Sequence, residues 1–175
     1  MRLPNSGTRT LSESVMSPEV NLAIRDWVRS ANPSGVLIGG LALSFYARPR
    51  YTQDVDILYL TVEEVPETVE GFRRHRQHAF EHRQTGVEIE IVTPEHVGVP
   101  VETIQTIIST AVERDGVRIA SPVGLVVSKL FRFNMRDRAD IIDLMKSSDI
   151  DVGAFHLPPP QLERYIVALA DAENE

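Results

Sequence analysis

Asp54 and Asp56, one residue apart in "QDVDILYL", are the side chains of this sequence best suited to do chemistry. The segment reads as a strand. Alternation then puts both carboxylates on one face, about 7 Å apart along the chain. Without a counter-charge they repel, at a cost of roughly 3 kcal/mol for about 6 Å and an effective dielectric near 20. A divalent cation, Mg²⁺ or Mn²⁺, removes that cost, because hard cations take carboxylate oxygens and bridge them to phosphates. Two such ions about 3.5–4 Å apart activate an attacking hydroxyl and stabilise a leaving group. The plainer alternative is that the aspartates cap turns or form surface ion pairs.

A second acidic strand follows in "GVEIEIV", where Val87, Ile89 and Ile91 face one way and Glu88 and Glu90 the other. Glu88 lies two residues past Gly86, close to a turn and easily solvated; Glu90 is deeper in the strand. Upstream, "GVLI" is a short buried strand that stops at Gly39 and Gly40 before a helix through "LALSFYA". Glycines at such a junction let backbone N–H groups and the helix start approach a phosphate. Arg50 and Thr52 come just before the acidic strand.

"GGLALSFYARPRYTQDVDI" resembles the first motif of the nucleotidyltransferase superfamily of the DNA polymerase beta type, and in particular its AbiEii/AbiGii toxin-like branch. Gly39, Gly40, Arg50, Thr52, Asp54 and Asp56 occupy the motif's places. "SPVGLVVSKLFRFNMRDRADIIDLM" is similar to that branch's lysine helix and Lys-Asp-x-x-Asp stretch, matched by Lys129 and then Arg136, Asp137 and Asp140. The resemblance spans about residues 35–146. It implies that Gly39 and Gly40 cradle the triphosphate, with Arg50 and Thr52 beside it. Asp54, Asp56 and a third acid would hold Mg²⁺ or Mn²⁺, and Lys129 would neutralise phosphate charge. Glu90 is the expected third acid, since the family places that residue before a pair of apolar ones. The implied activity is transfer of an NMP from an NTP to a hydroxyl of RNA (tRNA included), protein or a small molecule, with release of pyrophosphate. The toxin of a toxin–antitoxin pair, bound by an antitoxin protein, is part of the same implication. Gly40 in place of a common serine, Ala47 in place of a common glycine, and a glutamate as third acid depart from the pattern. They leave open a degenerate module that binds a nucleotide or a partner without catalysis.

The elements that must position these groups follow from pattern and punctuation. Residues 1–16 are polar and aperiodic and are expected as a loose arm; 17–175 are expected as one nucleotidyltransferase-like domain with C-terminal helices from about 122. Ser17-Pro18 starts a helix through Trp27 and Val28, and Ser121-Pro122 starts the helix that carries Lys129. Pro66 is expected to open a helical turn up to about Phe72, followed by two strands between Gln77 and Val92 that join near Gln84–Gly86. A helix near Glu102–Glu113, a strand "VRIA" and a last helix from about Gln161 to Ala172 complete the pattern. The fold class is α/β (α+β): a mixed sheet flanked by helices, with a helical C-terminal half.

On a continuous helix Lys129, Arg132, Arg136, Asp140 and Asp143 share a face, and Arg136 would pair with Asp140; Arg132 and Asp143 are expected to be solvated. "RRHRQHAFEHR" is expected as a basic surface, with RNA contact as the alternative. His78 and His82 have zinc-ligand spacing only in a helix, whereas the pattern is that of a strand. His96 and His156 carry no pattern of their own.

The chain has 175 residues, 42% of them hydrophobic and 25% charged, enough for one core. A formal net charge of −7 supplies no global attraction to nucleic acid or anionic lipid, so any such contact is local. The absence of cysteine excludes disulfides, thiolate metal sites and cysteine nucleophiles. No apolar run is long enough to span a bilayer and the start lacks a signal-peptide core, so a cytoplasmic protein with no membrane partner is expected.

Overall fold

A computed structural model describes residues 16–49 and 52–174. The loose arm expected for residues 1–16 lies outside them except for Met16, which packs partly buried against the core.

The described residues build a seven-stranded mixed sheet with helices against it. In chain order the strands are β1 (Val36–Ile38), β2 (Val55–Leu58), β3 (Phe72–Arg76), β4 (Ala79–His82), β5 (Glu88–Val92), β6 (Val112–Arg114) and β7 (Val117–Ile119). Their spatial order is β3-β4-β5-β2-β1-β7-β6. The pairs β2–β5 and β1–β7 are parallel, and the remaining pairs are antiparallel. The helices are α1 (Pro18–Ser30), α2 (Gly39–Leu43), α3 (Pro94–Val97), α4 (Val101–Ser109), α5 (Pro122–Arg132), α6 (Met135–Ser147) and α7 (Pro159–Asn174). Among the described residues, no helix is long and apolar enough to cross a membrane.

Local chemistry sets the ends of the helices. Ser17 Oγ accepts from the N–H of Val20, and Ser121 Oγ accepts from that of Gly124, each with proline at the next position. The lysine helix does not continue to Asp143. Phe133 closes α5 in the left-handed region (φ +52°), and Asn134 opens α6 with a reciprocal capping box to Asp137. The single face expected from Lys129 to Asp143 is therefore two helices meeting at a corner.

Two further expectations are corrected. Residues 66–71 form no helix; a short 3₁₀ turn occupies Val62–Glu64, and β3 begins at Phe72. β3 is mostly exposed and exists because it hydrogen-bonds to β4 at the sheet edge, not because it carries an apolar pattern. The helix near Glu102–Glu113 stops at Ser109, and Val112–Arg114 pairs with β7 instead. Asp115 (φ +50°) and Gly116 (φ +80°) form the two-residue turn between those strands, both in the left-handed conformation that such hairpins need.

Trp27, Phe45, Tyr59 and Phe80 are fully buried, and Val36, Leu37, Val55, Ile57, Ile89 and Ile91 make the interior of the central strands. The indole N–H of Trp27 donates to the Tyr59 hydroxyl (3.0 Å), which donates to the Asn32 carbonyl (3.0 Å), so both buried polar tips are satisfied. One side of β2 and β5 is thereby fixed in the core. Their alternate residues, Asp56 and Glu90, are left for the other side.

Candidate active site

Asp56 and Glu90 are direct partners in the parallel pairing of β2 with β5, so their side chains leave neighbouring strands, about 4.8 Å apart, on the same face. Ile38, the last residue of β1, pairs with Asp56 from the other side. Next in the chain comes Gly39, in the left-handed region (φ +74°). A Cβ there would stand 2.3 Å from Oδ2 of Asp56, so the carboxylate occupies the space that a side chain would need.

These residues open onto a cavity of about 480 Å³. Its apolar part includes Leu58, Val92, Ile104 and Phe131, and its polar part is Asp56, Glu90, His96, Ser128, Lys129 and Arg132. The size suits a drug-sized or nucleotide-sized ligand, and apolar walls with a few convergent polar groups are usual for such sites.

The electrostatics of Asp56 mark it out. Burial, then the charge of Glu90 and then that of Asp54, push its carboxyl up from 3.8 to about 6, against the opposing pull of Lys129 and Arg132. A carboxylate in this state has a deficit of positive charge around it.

The two cations are themselves held. Lys129, only 7% exposed, donates to Asp140 (2.7 Å) and more weakly to Asp137 (3.4 Å). Arg132 binds Asp137 in a two-pronged pair, Nε to Oδ2 at 2.7 Å and Nη2 to Oδ1 at 2.8 Å. Burial alone would raise the Asp137 carboxyl; the hydrogen bonds from Arg132 and the charge of Lys129 outweigh it and hold it below the usual range. The expected pair of Arg136 with Asp140 is replaced by Lys129 with Asp140. Arg132, expected to be merely solvated, is anchored although exposed; Asp143 is exposed. Sequence spacing missed this network because it crosses the corner between α5 and α6. The available signal was Asn134-x-x-Asp137, a capping box that ends one helix and begins another.

The sequence candidates fall into three groups. Gly39, Asp56, Glu90 and Lys129 meet at the cavity. Asp54 is exposed outside the cavity lining, one residue before β2, with its N–H donating to Thr52 Oγ1 (3.3 Å); Gly40 is in the first turn of α2. Arg50 lies outside the described residues. Glu88 is outside the cavity too, paired with Arg76 and near His75. His82 is 2% exposed and bound to Asp26 (3.1 Å) and Thr85 (2.7 Å), a structural histidine. His96 is the cavity residue that sequence reasoning left without a role.

The donor set fits a hard cation in part. Asp56 and Glu90 are adjacent oxygen donors, and the raised Asp56 is the carboxyl that a cation would relieve. Among the described residues, no group of three or more His, Asp or Glu stands ready to hold a metal ion. Any ligands beyond these two would come from movement of Asp54, from substrate phosphates or from water.

The fold is a mixed α/β sheet flanked by helices, with Asp56 and Glu90 side by side on neighbouring strands and Lys129 and Arg132 of α5 lining the same cavity. Residues 23–157 match the family model described as "Nucleotidyltransferase of unknown function (DUF6036)", and the chain belongs to that family. No curated protein matches the chain.

Proposed function

We propose that the protein transfers a nucleoside monophosphate from an NTP to a hydroxyl acceptor, with release of pyrophosphate, at the Asp56–Glu90 cavity. The observation that carries this reading is the register of Asp56 with Glu90 beside Gly39, with the Asp56 carboxyl raised to about 6 at the mouth of a nucleotide-sized cavity. Family membership supports the reaction class.

Asp56 and Glu90 would hold Mg²⁺ or Mn²⁺, with Asp54 as an outer carboxylate. When bound, the ion would supply Lewis-acid stabilisation of charge on the α-phosphate and the leaving pyrophosphate. The chain's own residues do the rest. Gly39 keeps the backbone clear of Asp56 and, with Gly40, leaves room for a phosphate at the start of α2. Arg132, exposed and anchored by Asp137, is the cation best able to reach the triphosphate. Lys129 acts from behind as a fixed charge that lowers the cost of ionising Asp56. The apolar walls hold the uncharged part of the nucleotide and exclude water from the reacting groups. Arg50 and Thr52 remain candidates for nucleotide contact from the motif resemblance.

The finer reading, supported by the motif resemblance, is a toxin of a toxin–antitoxin pair that modifies RNA, with tRNA as first candidate, and is restrained by an antitoxin protein. A second reading is a nucleotide-binding module without catalysis. It is favoured by the commitment of Lys129 to Asp137 and Asp140. Incubating the purified protein with each labelled NTP, Mg²⁺ or Mn²⁺ and total tRNA separates the two: transfer of label with pyrophosphate release supports the enzyme, and nucleotide binding without either supports the module. Arrest of growth on expression tests the toxin reading.

A further inference from the structure

On the face of the sheet that carries the acids, the parallel register of β2 with β5 sets two rows: Asp56 beside Glu90, and Leu58 beside Val92. The rows are about 7 Å apart along the strands. Leu58 and Val92 are buried, so the cavity floor passes from charged to apolar within one side-chain repeat. Ile104 and Ile107 of α4, buried as well, line the same apolar end. A Cβ on Gly124 would stand 3.5 Å from Cγ2 of Ile107, so the start of α5 rests on α4. Ser128 follows one turn on, and Arg132, whose charge acts on Asp56, one turn further. Ser128 therefore lines the cavity between its apolar and its charged end. Its Oγ donates to the carbonyl of Leu125 (2.8 Å), which commits the hydroxyl hydrogen and leaves the oxygen free only to accept. Phe131 lines the cavity from the same stretch of α5 and adds an aromatic ring.

We infer that the apolar end of the cavity is an adenine site, and that Ser128 determines its specificity by accepting a hydrogen bond from the 6-amino group of ATP. The inference rests on the nucleotidyl-transfer reading above and names the NTP. A nucleotide with its phosphates at Asp56 and Glu90 brings its base to Leu58, Val92, Ile104 and Ile107. The side chains at this end supply no N–H or O–H to a base carbonyl, because the hydroxyl hydrogen of Ser128 is already bonded to Leu125. Uracil, cytosine and guanine each carry at least one carbonyl oxygen, and burying it without a donor costs more than one hydrogen bond returns. Adenine carries none. It presents an amino group to the acceptor that Ser128 provides, and its flat faces suit the aliphatic walls and the ring of Phe131.

The test measures affinities in Mg²⁺ for the four NTPs and for three probes, with thermal melting alongside, in wild type and Ser128→Ala. The probes are purine riboside triphosphate, which lacks the amino group, ITP, which has a carbonyl in its place, and tripolyphosphate, which has no base. Wild type should bind ATP about 3- to 10-fold more tightly than purine riboside triphosphate, and at least about 10-fold more tightly than ITP, GTP, CTP and UTP. Ser128→Ala suits a helix and should melt as wild type does. It should bind ATP no better than purine riboside triphosphate and keep its affinity for tripolyphosphate. Equal affinity of wild type for ATP and ITP, or preference for another NTP, overturns the adenine site. An alanine variant that still prefers ATP to purine riboside triphosphate overturns the role of Ser128, and a parallel loss of tripolyphosphate binding places Ser128 at the phosphates and overturns it as well. A wild type that binds no NTP and releases no pyrophosphate brings down the nucleotidyl-transfer reading, and the adenine site falls with it. Pyrophosphate release with no preference among the bases brings down the adenine site alone.

Discussion

Gly39 and Asp56 occupy one space: a methyl group on the glycine would stand 2.3 Å from the Oδ2 atom of the aspartate. The glycine also has φ +74°, which an L side chain rarely adopts. Gly39→Ala must therefore change the backbone, the carboxylate or both. It should destabilise the fold by about 1–3 kcal/mol and abolish divalent-cation and NTP binding, because the displaced group is the proposed ligand. Denaturant melts and nucleotide titrations check this. An alanine variant that binds MgATP normally would show that the close approach has no part in function.

Asp56→Asn should have the opposite effect on stability. The wild-type carboxyl is raised from 3.8 to about 6, so the folded protein takes up its proton more readily than the unfolded chain does. Its contribution to stability is therefore fully present below pH 3.8, is lost as pH rises through about 6, and is a cost above that. At neutral pH the asparagine should raise apo stability by about 1–2 kcal/mol and flatten its pH dependence between about pH 4 and 6. The extra melting temperature conferred by Mg²⁺ with NTP should vanish in the variant, and in wild type it should fade as pH drops below 6, when protons compete for the same oxygens. A large loss of stability in the metal-free variant would make Asp56 structural.

Lys129→Ala should be far more damaging to the fold than a surface lysine change. Lys129 and Asp140 are 7% and 3% exposed, and removing the ammonium takes away the donor 2.7 Å from a buried carboxylate and leaves a void. The expected cost is about 3–5 kcal/mol. Adding Asp140→Asn should recover part of it, because the second change removes a buried charge that Lys129 offsets. Chemical denaturation of the two single variants and the double variant measures the coupling, and simple additivity would contradict the network. A neutral Lys129→Ala would return Lys129 to the role of a free phosphate contact.

How far the sequence speaks depends on what holds each element. β1 was legible as a short buried run that stops at two glycines, and β2 and β5 because one face of each is packed with Val and Ile while the other carries an acid, so period and chemistry agree. α1 and α5 announce themselves through Ser-Pro caps. β3 was not legible: Arg73 to Arg76 are exposed, and a strand formed by pairing at a sheet edge leaves no apolar period. Asp115-Gly116, by contrast, was a readable hairpin turn between a stretch assigned to the end of a helix and the strand "VRIA". In the site, Gly39, Asp56 and Glu90 follow from motif and alternation. His96 and the hold of Asp137 and Asp140 on Lys129 and Arg132 depend on where α3 and α6 pack, and local spacing does not encode that.

Glu88 and Glu90 offer the sharpest comparison, since alternation puts both on one face and only tertiary structure separates them. Glu88 pairs with Arg76 at an exposed position, an interaction of about 0–1 kcal/mol. Glu90 lines the cavity, pairs in register with Asp56 and is the carboxylate whose charge raises it most. Glu90→Gln should therefore lower the Asp56 carboxyl toward its ordinary value, leave apo stability unchanged or slightly higher, and remove metal-dependent transfer. Glu88→Gln should alter melting by less than about 1 kcal/mol and leave transfer intact. Titration of Asp56 by NMR in both variants reads the electrostatic link without an assay for the unidentified acceptor, and pyrophosphate release reads the catalytic one. If Glu88→Gln alone abolished release, the third carboxylate would have to be reassigned to it, with Arg76 as a gate; if both variants stayed active, Asp56 would act without a carboxylate partner on β5.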